Sequence, residues 1–192
     1  MREASIERKT KETEIEIKIN IDGSGKADID TGIGFFDHML DLFAFHGKFD
    51  LTVKCRGDLD VDTHHTVEDI GISLGKAFFE AMGDKKGIRR YSTVFLPMDE
   101  ALARVALDIS GRAYLVYDDK LSKDYLGRMD TQNFREFLRA FSNEARITLH
   151  AEVLYGDNDH HKIEAVFKGI GRALAEASQV IDDRITSSKG VL

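Results

Sequence analysis

The segment Asp62-Thr63-His64-His65-Thr66-Val67-Glu68 returns as Asn158-Asp159-His160-His161-Lys162-Ile163-Glu164, displaced by 96 residues. A chain with two copies of His-His-x-x-Glu has to bring both into use, and few architectures do so. On a helix, Glu68 follows His64 by four residues and His65 by three, so the carboxylate shares a face with an imidazole in either pairing. Adjacent helical histidines diverge by roughly 100°, so they do not grip one ion together. Neutral imidazoles with a carboxylate suit a borderline divalent cation. The economical reading is two metal ions, the histidines of each copy going to different ions and each ion drawing ligands from both copies.

The same offset pairs Leu42 with Leu138, Phe45 with Phe141, Thr52 with Thr148, Gly75 with Gly171 and Glu80 with Glu176. This predicts an internal duplication, one domain made of two pseudo-symmetric halves at about 1–92 and 93–192. Two copies of so long a unit make a pair of half-domains sharing a site, not a solenoid. With 192 residues and 42% hydrophobic content, the chain can bury a core of that kind.

Thr13 to Ile21 alternates apolar and charged residues, the period of a half-buried strand, and Asp22-Gly23-Ser24-Gly25 turns the chain into Lys26–Asp30 as a hairpin. Ala101–Asp108, Ser110-Gly111-Arg112 and Ala113–Tyr117 repeat that plan. Their offset is near 86, which makes Leu121–Asp130 a ten-residue insertion loop. Short helices are expected around Phe35–Phe45 and Asn133–Phe141, strands at Leu51–Cys55 and Ile147–Val153, and the motif helices running to about Met82 and Arg184. Gly71, Gly75, Gly169 and Gly171 permit close helix packing. The expected fold is α+β, two β-β-α-β-(β)-α half-domains with the helices sandwiched between two mixed four-stranded sheets.

The formal net charge of -7, with no long basic run, argues against nucleic acid as a partner. No apolar run reaches the length of a membrane span, and Met1 to Lys9 has no apolar centre of a signal peptide, so a cytoplasmic protein is expected. The single Cys55 sits in a strand and reads as a buried thiol. His38 and His46 lie on the first short helix and His150 on a strand. Asp37 at a glycine-introduced helix start favours His38 as a further ligand, and sliding the two short helices by two residues puts Glu136 where His38 stands. Each metal then has four protein ligands and room for substrate or water.

Gly32 to Leu40, Asp62 to Gly71 and Asn158 to Lys168 together resemble the imidazoleglycerol-phosphate dehydratase family of histidine biosynthesis, and the likeness runs from Arg8–Thr13 to the closing Ser187–Leu192. The resemblance implies two manganese ions per subunit, one held by His38, His65, Glu68 and His161, the other by His64, His160, Glu164 and the residue at 136. It implies conversion of imidazole glycerol phosphate to imidazole acetol phosphate and water, with Arg90, Arg112, Lys168, Ser187 and Lys189 on the phosphate. The carbinol C–H has no neighbouring carbonyl. A ring bound through both nitrogens becomes an imidazolate that expels the hydroxyl, leaving a diazafulvene-like intermediate whose next C–H is acidic. Glu12 is the expected acid and base, with Asp99 and His46 as secondary candidates and Met98, His38, His64 and His65 also facing substrate. The family further implies a homo-oligomer of 24 subunits with sites shared between neighbours. Two rivals use the same ligands: a dimetal hydrolase, which would release phosphate, and a metal store, which needs neither Glu12 nor the basic set.

Overall fold

In the computed structural model, which describes residues 1–190 and 192, each half is built of three strands, a helix, a strand and a helix. The first half comprises β1 (Glu3–Lys9), β2 (Thr13–Asn20), β3 (Ala27–Asp30), α1 (Gly34–Gly47), β4 (Asp50–Gly57) and α2 (His64–Met82). The second comprises β5 (Tyr91–Met98), β6 (Ala101–Asp108), β7 (Tyr114–Asp118), the small hairpin β8 (Tyr125–Leu126) and β9 (Met129–Asp130), α3 (Gln132–Ala145), β10 (Thr148–Tyr155) and α4 (Asp159–Ala177). Val191, in the closing segment, lies outside the described residues.

The sheets run β1-β2-β4-β3 and β5-β6-β10-β7. In each, three neighbours are antiparallel and the last strand joins in parallel, so both sheets are mixed as expected. The helices lie between them. Helix α2 rests on β1 and β2 and α4 on β5 and β6, while α1 packs on α4 and α3 on α2. Ile15, Ile17 and Ile19 of the first sheet and Ala103, Val105 and Leu107 of the second point inward to a core floored by Phe36, Phe78, Phe134, Phe141 and Phe167.

The expected hairpins are not formed. β3 pairs in parallel with β4, Ala27 opposite Leu51, and β7 in parallel with β10, Tyr114 opposite Thr148. The flanks of β2 and β6 are already filled, on one side by β1 and β5 and on the other by β4 and β10, so each returning strand crosses over to the far edge. β1 and β5 are the strands that sequence alone missed. The inward positions of β1 are Ala4, Ile6 and Arg8, a weak apolar signal, and β5 carries Pro97, tolerated because it is an edge strand. No further strand stands between β4 and α2. Helix α4 ends at Ala177 rather than near Arg184, with Ser178 at its cap and the chain turning back so that Val180 bridges Ile88.

The uniform offset also dissolves. The motif and the glycines Gly75 and Gly171 keep the 96-residue relation within α2 and α4, although the ends of those helices differ by 95, but α1 and α3, and β4 and β10, correspond at 98 from end to end. The pairing of Leu42 with Leu138 or of Thr52 with Thr148 is therefore not an equivalence of position. The caps agree: Lys48 and Arg146, 98 apart, both close their helices in the left-handed region, with φ 56° and 53°. Glu136 thus stands at the position of His38. The insertion at 121–130 holds the hairpin β8–β9 and is pinned to α4 by Asp159, whose Oδ2 accepts from Ser122 and Lys123 backbone N–H and the Ser122 hydroxyl.

Candidate metal centre

Helices α1 and α4 begin side by side. Asn158 caps α4, its Oδ1 accepting from the His160 N–H at 2.9 Å, which fixes the first turn from which His160 and Glu164 project. His160 Nε2 lies 3.1 Å and His38 Nε2 3.6 Å from Glu164 Oε2. His38, His160 and Glu164 form the one group of three ligand-type side chains, among the described residues, whose donor atoms all lie within 4.8 Å of one another. Burial pushes the Glu164 carboxyl upward, but Lys168, paired with its other oxygen, and the two imidazoles hold it below the usual carboxylate range. Two imidazoles and one ionised carboxylate converging on a point fit a divalent cation.

The second half-site is the counterpart on α2 and α3. His64 Nε2 is 3.5 Å from Glu68 Oε2, and Glu136 reaches Glu68 through Arg139, which pairs with both carboxylates. Asp62 accepts from the His64 N–H and Asn133 of α3 donates to Thr63, so the two helix starts are tied together.

His65 and His161 turn the other way. His65 Nδ1 is 2.9 Å from Asp58, and His161 Nδ1 is 2.7 Å from Glu100; the Nε2 atoms point outward, each 3.9 Å from a second carboxylate, Glu12 and Asp99 respectively. The hydrogen bonds to Asp58 and Glu100 raise both histidines above the usual imidazole range, and His161 in turn lowers the Glu100 carboxyl to about 2. An imidazole whose Nδ1 is held by a carboxylate presents Nε2 to a metal. Asp58 and Glu100 are histidine partners that sequence reasoning missed, since no fixed spacing links such a partner to its histidine. Within one chain, then, His38 meets His160 and Glu164, whereas the grouping of His38 with His65, Glu68 and His161 is not the one the fold assembles.

The remaining expected residues fall in three places. Glu12 sits exposed on the β1–β2 turn opposite His65, and Asp99 and Glu100 on the equivalent β5–β6 turn opposite His161. Lys168 Nζ lies 3.5 Å from Met98 Sδ, and burial together with Lys168 and Arg172 lowers the nearby His46. Arg90 is buried and committed within the chain, donating to Asp108 at 2.7 and 3.1 Å and to the Thr186 carbonyl at 2.7 Å. It thereby anchors the closing segment, whose Leu192 lies against Gly111 beside Arg112. The fold so brings the tail carrying Ser187 and Lys189 to the Ser110–Arg112 turn. His150 stands exposed on the outer face of the second sheet, away from these groups. A pocket of about 310 Å³ beside His64 is walled by Asp62, Asn133 and the insertion residues Tyr125 and Arg128. A hollow of about 720 Å³ lies on the first sheet among Glu7, Lys9, Glu16 and Arg56, and none of the histidines lines it.

The family model for imidazoleglycerol-phosphate dehydratase matches residues 31–174. The imidazoleglycerol-phosphate dehydratase of Clostridioides difficile is 62% identical over 192 residues, covering all of both chains, and that of a Thermoanaerobacter species is 60% identical, also over all of both. Two solved structures are similar. The enzyme of that name from Staphylococcus aureus has a TM-score of 0.85 and 42% identity over 93% of this chain and 99% of its own. That from Pyrococcus furiosus has a TM-score of 0.84 and 38% identity over 97% and 100%. With its paired helix starts, its duplicated His-His-x-x-Glu motif and relatives matched from end to end, the chain belongs to the imidazoleglycerol-phosphate dehydratase family of hydro-lyases.

Proposed function

We propose that this protein removes water from imidazole glycerol phosphate to give imidazole acetol phosphate in histidine biosynthesis, using two manganese ions per chain. The observation that carries the metal is the convergence of His38, His160 and Glu164, with His64 and Glu68 on α2 and Glu136 on α3 as the related residues of the other half. His65 and His161 face outward on carboxylate anchors. That is the arrangement expected if each completes a site on a neighbouring copy, which supports a homo-oligomer with shared sites, 24 subunits in the family's pattern. A bound metal pair would act as Lewis acid at the substrate ring nitrogens, making ring electron density available to expel the hydroxyl.

The chain's own groups do the rest. In this reading Glu12, whose Oε1 lies 3.9 Å from His65 Nε2, takes the C–H proton and returns it to the product enol. Asp99 holds the same place opposite His161 and is the alternative proton carrier. Lys168, Arg112, Ser187 and Lys189 supply the phosphate contacts. Arg90, already paired with Asp108, acts on phosphate by holding the tail. Among the described residues no helix is long and apolar enough to cross a membrane, which accords with a cytoplasmic enzyme.

The test is turnover of imidazole glycerol phosphate by metal-stripped protein with and without manganese, following ketone and free phosphate together. Manganese-dependent ketone without phosphate is expected. Phosphate release would establish a dimetal hydrolase instead, and binding of two metals with no reaction would leave a metal store.

A further inference from the structure

The two half-sites share one plan but differ in charge. At α1 and α4, two imidazoles face a single carboxylate, and Lys168 occupies the Glu164 oxygen turned away from them. At α2 and α3, Glu136 stands where His38 stands, so the counterpart set holds two carboxylates and one imidazole, with Glu68 Oε2 3.5 Å from His64 Nε2. Like charges brought to one ligand shell repel until a cation joins them. Arg139 is that cation: its Nη2 pairs with Glu136 Oε2 and also lies 3.4 Å from Glu68 Oε1. One nitrogen thus ties the two carboxylates together, meeting Glu68 at the oxygen turned away from His64, whose Nε2 lies 3.5 Å from Glu68 Oε2. The spacing of three residues from Glu136 puts the guanidinium on the same helix face, and at 54% exposure its long stem can swing into solvent without moving α3.

We infer that Arg139 is a stand-in cation, holding Glu68 and Glu136 together in the metal-free protein and competing with the metal for them. This rests on the dimetal reading above. It requires that an ion drawing on Glu68 and Glu136 loosen their shared pair with Arg139, while at α1/α4 Lys168 holds one carboxylate alone, on the oxygen turned away from the imidazoles.

The experiment is manganese titration of the metal-stripped assembly by calorimetry, with free manganese followed by electron paramagnetic resonance, for wild type, Arg139→Gln and Arg139→Lys. In Arg139→Gln one of the two binding events is expected to tighten by about two- to fivefold, the scale of an exposed ion pair. The other event stays unchanged, the difference shrinks as salt screens the pair, and Arg139→Lys stays near wild type. In a Glu136→His background the effect of Arg139→Gln is expected to disappear, because the extra carboxylate is gone. Unchanged or weaker manganese binding in Arg139→Gln overturns the inference and makes Arg139 an ordinary surface or scaffold residue. A wild-type protein that takes up no manganese overturns the dimetal reading itself, and the inference with it.

Discussion

Glu12 owes its position to a short relay. The Thr10 hydroxyl accepts from the Glu12 and Thr13 backbone N–H groups, and the Thr13 hydroxyl donates to Asp69 at 2.5 Å, one residue beyond the proposed ligand Glu68. The turn bearing the proposed base is thus fastened to the helix bearing the proposed metal ligands. Glu12→Gln keeps the size and loses the proton acceptor, so turnover should fall by about 10² or more while manganese stoichiometry is unchanged; paired rate and metal assays check it. Cys55 gives a second prediction at this scale. Burial foremost, then the charges of Asp69 and Asp30, push its thiol up to about 12. A folded-state value above the ordinary 9.0 means that this thiol's contribution to stability is whole below about pH 9 and is lost as pH rises toward 12. At pH 8 the native thiol should resist alkylation and react promptly once the chain is unfolded in denaturant. At this scale the sequence was most legible where identity repeats: the placement of the paired histidines with Glu68 and Glu164 at the helix starts, and the correspondence of Glu136 with His38, were readable. Asp58, Glu100 and Arg139 were not, because they meet their partners through the fold rather than through a period.

The helices approach so closely because glycine lines their contacts. A Cβ on Gly171 would lie 2.4 Å from the Phe43 carbonyl oxygen, and one on Gly75 2.6 Å from that of Phe141, so both 96-related glycines meet a backbone carbonyl of the helix opposite. Gly171→Ala and Gly75→Ala should each cost about 1–3 kcal/mol by forcing the helices apart, measurable as a lowered denaturant midpoint with an unchanged slope. The insertion is fastened in another way. Lys162 Nζ donates to Asp159 Oδ1 and to the Lys120 carbonyl, and both side chains are almost wholly buried. Asp159→Asn leaves that ammonium uncompensated, at a cost of about 3 kcal/mol or more, with faster proteolysis at residues 121–130 as its local sign. Strands and helices with clean periods, such as Ile15 to Ile19 and the motif helices, could be read in advance. Strand partnership could not, since β3 carries no mark of whether it turns back on β2 or crosses to β4; that is decided by β1 filling the flank of β2.

The two outer faces of the molecule differ sharply. The first sheet shows Glu7, Glu14, Glu16, Lys18, Asp28 and Lys54 to solvent; the second shows Tyr91, Phe95 and Tyr114, each more than half exposed. Copies of this chain would be expected to meet through the second face and avoid one another through the first. Phe95→Glu should therefore reduce the sedimenting species while leaving the spectroscopic signature of the folded chain intact. The halves themselves are not stacked side by side. α1 of the first half lies on α4 of the second, and α2 on α3, so each half completes the helix layer of the other. A chain of half this length could bury its helices only against a second copy of itself, by the same exchange. The duplication can then be seen as a two-chain assembly made permanent by a peptide link, which replaces dilute encounter with a high effective concentration. It also freed the two copies to diverge, so that one position became His38 and the other Glu136, a difference no pair of identical chains could hold.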